Sequence, residues 1–308
     1  MRRFGRIIGL LGLGWLAWRM LGPERTPAAG GVQERPLLVP GRTVFVGRQE
    51  LFVRETGPVG APVIVLVHGW SFDGEMTYHR LVPLLADRYR VILPDMRNHG
   101  KSDRLRGRFE IEDVADDLAG VLDAIGVSRV DTIVGYSMGG MVAQAFARRY
   151  PGRCDRLVLG ATAAYAIPRM RAAAKVAFVL ARAVARVSTK ESAIITYQIV
   201  MRTGLVEQRH GRWLWDSLMN RDATLFYESG FAVWRFDSRA WAAGLGVPVL
   251  VIIPSIDRVI AADAQRELAG LIPDARVIEM EGTGHEAVLA RPDDIAQAIE
   301  SFIVETSA

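Results

Sequence analysis

The sequence predicts an α/β protein: a mostly parallel central sheet with helices on both faces and a helical cap insertion. Three observations carry this. Continuous apolar runs, at residues 63–67 and 249–253 among others, suit strands buried on both faces. Stretches with helical spacing of apolar residues alternate with those runs. The alternation then stops: residues 161–246 read as largely helical with no clear strand, and the strand pattern resumes after Pro248.

The elements follow in order. Residues 43–46 and 50–54 read as a hairpin around Gly47. The strand at 63–67 runs into His68-Gly69-Trp70, and a helical stretch reaches Ala86. The strand at 89–93 leads into Asp95-Met96-Arg97-Asn98-His99-Gly100-Lys101-Ser102. Residues 110–125 place Ile111, Val114, Ala115, Leu118, Val121, Leu122 and Ile125 on one helical face. Residues 130–136 form a β-branched strand, followed by Ser137 and a helix that stops at Tyr150-Pro151. A short strand covers 156–160. Beyond the insertion come a strand at 249–253, a helix at 262–271, a strand at 276–280 and a closing helix at 292–304. The expected division is therefore 41–160 plus 247–308 as the core and 161–246 as the cap.

The chain has 308 residues, half of them hydrophobic, which suits one large α/β domain with an insertion or two small domains. A single cysteine, Cys154, excludes an internal disulfide and any cysteine-based zinc site. The formal net charge is +4, but the arginines are scattered and no nucleic-acid motif appears, so no nucleic-acid partner is expected. No metal or other cofactor is expected, because no His/Asp/Glu cluster has ligand spacing.

Residues 1–22 open with Arg2, Arg3 and Arg6 and continue into an apolar run from Ile7 to Trp18. Three readings compete, the plainest being a start-site artefact or a disordered tail. The second is a membrane anchor over residues 4–21, with Arg6 and Arg19 reaching the two interfaces. The third is a signal peptide, with Thr26-Pro27-Ala28 a weak cleavage site. With the arginines ahead of the run, the rest of the chain is expected outside the cytoplasm. Residues 23–40, rich in Pro, Gly and Ala, read as a linker.

The chemistry centres on Gly135-Tyr136-Ser137-Met138-Gly139, a G-x-S-x-G motif between a strand and a helix. Gly135 and Gly139 leave room for a serine in a strained turn. The helix beneath it begins with unpaired N–H groups that favour developing negative charge. A serine hydroxyl needs a base in reach and a carboxylate to hold that base. His285, in Gly282-Thr283-Gly284-His285, lies in the loop between the last strand and the last helix. Asp257 lies just after the strand at 249–253. In a parallel sheet both loops open at the same edge as the serine. The order is serine, acid, histidine.

With these motifs in that order, the chain resembles the α/β-hydrolase fold family over about residues 41–303. The resemblance implies a Ser137–Asp257–His285 triad. It also implies that the backbone N–H groups of Trp70 and Met138 form an oxyanion hole, supported by His68 and Gly69. Two departures stand out. The family often carries Gly three residues before the acid and Pro four after it, where this chain has Pro254 and Ala261. It usually carries Gly in the segment after Asp95, where this chain has Asn98. Of the other acids and histidines, Asp95 is read as bracing its turn and His99 as ordering that loop. His68 is read as a hydrogen-bonder at its strand end, His79 and His210 as surface or cap residues. Asp263 complements the dipole at a helix start.

Within the cap, Arg171, Lys175, Arg182, Arg186 and Lys190 fall on one helix stripe in a stretch without acids, 167–190. It reads as an ordinary solvated face or as a lid touching an anionic membrane. Trp213, Trp215, Phe226, Tyr227, Phe231, Trp234, Phe236 and Trp241 crowd the later cap, as core or as pocket lining. The implied activity is hydrolysis of carboxylic esters with apolar or lipid-like acyl groups. An acyltransferase, a thioesterase, a cofactor-free haloperoxidase-like enzyme and a low-turnover ligand receptor are the alternatives on the same residues. A serine at position 137 argues against the epoxide and haloalkane hydrolases, whose nucleophile is a carboxylate.

Overall fold

The computed structural model describes residues 39–165, 172–203, 206 and 210–307. The expected anchor and nearly all of the expected linker lie outside these residues, as does Arg171 of the basic stripe; the Lys175 side chain is likewise not described. Among the described residues no helix is long and apolar enough to cross a membrane.

Eight strands form one sheet: β1 (Gly41–Val46), β2 (Gln49–Thr56), β3 (Val63–Val67), β4 (Arg90–Pro94), β5 (Thr132–Tyr136), β6 (Leu157–Gly160), β7 (Val249–Pro254) and β8 (Arg276–Met280). Their spatial order is β1-β2-β4-β3-β5-β6-β7-β8. β2 runs antiparallel to both its neighbours, and β4 through β8 pair in parallel. The two-residue side-chain period splits each strand between two cores. Val65 and Val67 of β3 join one cluster, while Ile64 and Leu66 join the other. β7 divides in the same way, Val251 and Ile253 against Leu250 and Ile252. This double burial explains why the parallel strands read as unbroken apolar runs.

One face is covered by α3 (Ile111–Ala124) and α4 (Met138–Arg149), through residues such as Val114, Leu118, Val142 and Phe146. The other is covered by α1 (Gly74–Tyr78), α2 (Val82–Leu85) and the closing helix, Pro292–Glu305, through Tyr78, Leu85, Ile299 and Phe302. The single helical stretch expected before Ala86 is two short helices. Pro83 lacks an N–H and sits in the first turn of α2, so it starts a helix rather than continuing one.

Between β6 and β7 lie α5 (Ala172–Ala185), α6 (Thr189–Thr203), α7 (Gly211–Asn220) and α8 (Ala223–Arg235). The chain divides into two compact units, one including 170–227, the other joining 36–169 to 228–308. The division falls inside α8, so residues 228–246 belong with the sheet. Arg235 holds them there by donating to the Phe109 carbonyl at 2.6 Å and to Glu110 at 3.1 Å. The buried Ser238 hydroxyl donates to Gln144 Oε1 at 2.7 Å. Aromatic pairs within this stretch are Phe231 with Trp234 and Phe236 with Trp241, while Phe226 and Tyr227 pair just before it. Phe236 belongs to one of the two cores flanking the sheet, and the partly buried Trp241 packs against that core.

The strand order reverses direction at β3, which pairs with β4 on one side and β5 on the other. In an open parallel sheet this switch opens a crevice at the carboxyl ends of the strands. His68-Gly69-Trp70 follows β3 there, and Ser137 follows β5.

Candidate active site

Ser137 sits between β5 and α4 with φ 55° and ψ −118°, a conformation that side chains other than glycine rarely adopt. Its N–H donates to the Gly160 carbonyl at 2.9 Å, tying the turn to β6. The neighbouring glycines are required by space. A Cβ on Gly139 would lie 2.0 Å from the Val67 carbonyl oxygen, and one on Gly135 would lie 2.4 Å from the Gly139 carbonyl oxygen. Both obstacles are backbone, which cannot step aside as a side-chain end can.

β7 and β8 deliver the partners. The Asp257 Oδ2 lies 2.7 Å from His285 Nδ1, and His285 Nε2 lies 3.0 Å from Ser137 Oγ. An ionised carboxylate only accepts, so Nδ1 carries the ring proton and Nε2 accepts from the serine hydroxyl. The Asp257 side chain is fully buried and every oxygen is used. Oδ1 accepts from the Val259 and Ile260 N–H groups at 2.8 and 2.9 Å; Oδ2 accepts from Gln265 Nε2 at 3.1 Å besides the histidine. The Tyr136 hydroxyl donates to the His285 carbonyl at 3.0 Å and accepts from the Val288 N–H at 3.3 Å. Burial, then the nearby Asp257 charge, raises the Tyr136 phenol far above its ordinary range, so it stays a donor.

The loop after β3 closes the other side. Gly69 packs against Ser137: a Cβ built there would stand 3.3 Å from the serine Cβ. Met138 opens α4, so its N–H belongs to the first turn, whose donors have no acceptor within the helix. His68 is fully buried, with Nδ1 2.8 Å from the Gly69 carbonyl and Nε2 3.0 Å from the Met96 nitrogen. Burial, the largest influence, lowers its imidazole to about 4. Asp95 Oδ1 accepts from Arg54 at 2.8 Å and from the Gly74 N–H at 3.1 Å; its Oδ2 accepts from the Lys101 N–H at 2.9 Å. Arg54, only 2 % exposed, also faces Glu75 at 3.6 Å. Burial raises the Glu75 carboxyl against the opposing pull of Arg54.

The two departures from the family pattern have physical counterparts. Asn98 takes φ 66°, where glycine is favoured and asparagine is the next most tolerant residue. Its side chain brackets Leu105, accepting from the N–H at 2.7 Å and donating to the carbonyl at 3.3 Å. Ala261 has φ −51° and ψ 136°, angles that a proline would share.

The structure thus brings Ser137, His285, Asp257, Gly69 and Met138 to one edge of the sheet, with His68 and Asp95 behind them. His99 bonds the Arg97 carbonyl at 2.9 Å within the Asp95 turn. His79 is half-buried near α1, His210 is buried at the start of α7, and Asp263 pairs with Arg266 at the start of the helix Ala262–Leu271. Cys154 is buried and its thiol is pushed up to about 12, chiefly by burial. Among the described residues no group of three or more His, Cys, Asp or Glu side chains is placed to hold a metal. Sequence reasoning missed Gln265, Tyr136 and Arg54. Gln265 left one trace: helical spacing puts it on the buried face with Ala264 and Leu268.

A mostly parallel sheet of this strand order, with a serine on a strained turn hydrogen-bonded to a histidine that is in turn held by an aspartate, both from loops after later strands, defines an α/β hydrolase. The chain belongs to that family: the family model for the alpha/beta hydrolase fold matches residues 62–292. A pimeloyl-[acyl-carrier protein] methyl ester esterase of Chromobacterium violaceum is 29% identical over 272 residues, 84% of this chain and 99% of that protein. An uncharacterised protein of Mycobacterium bovis is 37% identical over 118 residues, and the match spans only 33% of its length. Among solved structures, the enol-lactonase of Burkholderia xenovorans LB400 superposes with a TM-score of 0.73 and 27% identity, over 85% of this chain and 100% of that one.

Proposed function

We propose that the protein hydrolyses carboxylic esters through an acyl-enzyme on Ser137. The observation that carries this is the hydrogen-bonded chain from Ser137 Oγ to His285 at 3.0 Å and on to Asp257 at 2.7 Å. His285 Nε2 takes the hydroxyl proton as Oγ attacks the ester carbonyl carbon. The carbonyl oxygen becomes an oxyanion held by the Trp70 and Met138 N–H groups. Collapse expels the alcohol, which leaves with the proton from His285. Water then gives a proton to His285 and attacks the acyl carbon, and the second collapse releases the acid and restores the serine. Asp257 stays ionised and steadies the imidazolium. Both full-length relatives named above carry ester chemistry in their names, one a methyl ester esterase and one a lactonase.

The preferred acyl group is proposed to be apolar, in keeping with the aliphatic and aromatic make-up of the segment between β6 and β7. The apolar run at residues 4–21 is proposed to hold the enzyme at a membrane, with the catalytic domain outside the cytoplasm. The test is multiple-turnover hydrolysis of p-nitrophenyl esters from short to long acyl chains, beside Ser137→Ala. A drop in kcat of about 10⁶ in the variant supports the nucleophile assignment. The chain-length optimum reports the acyl preference. Folded protein that turns over no ester refutes the reading and moves the search to acyl transfer, thioesters, peroxide chemistry or ligand reception.

A further inference from the structure

We infer that Arg221 is the centre of an anion site that takes a carboxylate, with Thr196 and Ser192 as its partners. All three lie in the unit that includes residues 170–227, and the inference stands apart from the ester chemistry of Ser137. Arg221 joins α7 to α8. The next residue, Asp222, is engaged with the backbone: its Oδ1 accepts from the Thr224 and Leu225 N–H groups at 2.9 and 3.1 Å, capping α8. Arg221 is therefore left without the acid beside it in the chain. Its Nη2 donates to Thr196 Oγ1 at 2.7 Å, while Nε and Nη1 are buried and meet no acceptor among the described residues. No carboxylate among those residues acts on it.

A buried charge is costly unless it is paired and hydrogen-bonded. Burial, the largest influence, lowers the guanidinium to about 9, against a smaller upward effect of the Tyr227 phenol. It is still a cation at neutral pH. The residue as a whole is half-buried, so the chain does not seal it.

The neighbours narrow the ligand. The Phe226 ring centroid lies 3.5 Å from the guanidinium carbon, which closes one face of that plane. A ligand comes in along the plane, where the N–H bonds point, and a flat carboxylate makes that approach with two parallel hydrogen bonds. Thr196 gives its own proton to the Ser192 carbonyl at 3.0 Å, so its oxygen meets Arg221 as an acceptor and steadies the fork. Ser192 lies one turn earlier on the same face of α6. It is fully buried, and its hydroxyl has no partner among the described residues. No second cation among those residues acts on Arg221, so one negative charge balances the site and a phosphate dianion would not be neutralised. The buried rings of Phe226 and Tyr227, 5.1 Å apart, suit an apolar body behind the carboxylate.

The test titrates the full chain with hexanoate, inorganic phosphate and chloride at constant ionic strength near pH 7, with no ester present. Arginine is labelled with nitrogen-15, and the Arg221 Nε–H signal is identified by its loss in Arg221→Met and Arg221→Lys. Hexanoate is expected to shift that signal saturably in the parent and equally in Ser137→Ala, which separates this site from the serine. Calorimetry is expected to show hexanoate binding about 50-fold weaker in Arg221→Met, about tenfold weaker in Arg221→Lys and about fivefold weaker in Ser192→Ala.

Arg221→Met also reads the unpaired charge directly. With that charge gone and the volume kept, the ligand-free variant is expected to melt at or above the parent temperature. Arg221→Lys keeps the charge and loses only the fork, so it decides the matter if the methionine variant does not fold. An Arg221 signal that hexanoate leaves unmoved, parent-like hexanoate affinity in either folded variant, or phosphate binding tighter than hexanoate overturns the inference. So does a response of equal size to all three anions, which marks general screening. Absence of ester turnover by the parent refutes the esterase reading and leaves this result standing.

Discussion

The Tyr136 hydroxyl reaches across from the residue before the serine to the carbonyl of His285, 3.0 Å away and 149 positions later in the chain. It joins the two loops whose side chains must meet, and does so through backbone, out of the reaction's path.

Removing that hydroxyl is expected to cost both stability and rate. Tyr136→Phe leaves the His285 carbonyl and the buried Val288 N–H without this partner. The penalty is about 1–3 kcal/mol in unfolding free energy, measured by urea denaturation. kcat is expected to fall several-fold with KM unchanged. An unaltered urea midpoint and rate would show that the contact does not matter.

Asp257→Asn is expected to lower kcat by roughly 10⁴-fold while leaving the melting temperature close to the parent's. The amide replaces an acceptor that now serves His285 and Gln265 with a group that cannot accept from both in the same way. Gln265→Leu takes away one donor to the same carboxylate and is expected to reduce kcat by a smaller factor, about tenfold. Steady-state kinetics on the two variants rank the contributions. A larger loss from Gln265→Leu than from Asp257→Asn contradicts the assignment of the acid.

Gly139→Ala tests the strained turn. The added methyl would stand 2.0 Å from the Val67 carbonyl, so β3 and α4 must separate. The expected loss is about 3 kcal/mol or more, seen as a fall in thermal midpoint together with abolished turnover. Wild-type stability in this variant would mean that the helix does not pack on β3 as described.

The buried His68 predicts a pH dependence of stability. Its folded value is about 4 against 6.5 for the exposed group, with burial the main cause, opposed by Asp73 and reinforced by Arg54, and with the His99 ring 5.3 Å away. Between those two values the unfolded chain binds a proton that the folded chain does not. Stability is therefore full above about pH 6.5 and declines as pH falls toward 4, by about 3 kcal/mol in total. Urea midpoints at pH 7, 5.5 and 4.5 check it. His68→Asn should remove that part of the slope, and an unchanged slope would place the acid sensitivity elsewhere.

The serine turn was legible because its requirements are local: a β-branched strand, two glycines that no larger residue can replace, and a helix start. The parallel strands were legible because burial on both faces leaves them uniformly apolar. Gln265 and Arg54 were not, because their roles depend on how a loop and a strand pair fold to bring their partners to them. Gln265 meets Asp257 across a loop, and Arg54 meets Asp95 across a strand pair. Asn98 reads as a departure in the sequence, yet its backbone angle is one that glycine would also take. Residues 228–246 look like more insertion by periodicity, but Arg235 and Ser238 attach them to the unit of the sheet through Glu110 and Gln144.

The separation of Ser137 from His285 by 148 positions has a consequence during synthesis. Ser137, its strained turn and the helix beneath it leave the ribosome long before His285 exists. Every nascent or prematurely terminated chain that ends between residues 137 and 285 carries the serine but lacks the histidine that meets it in the folded protein. The hydrogen-bonded serine–histidine–aspartate arrangement is thus completed only by the last strand and its loop, after most of the polypeptide is already made.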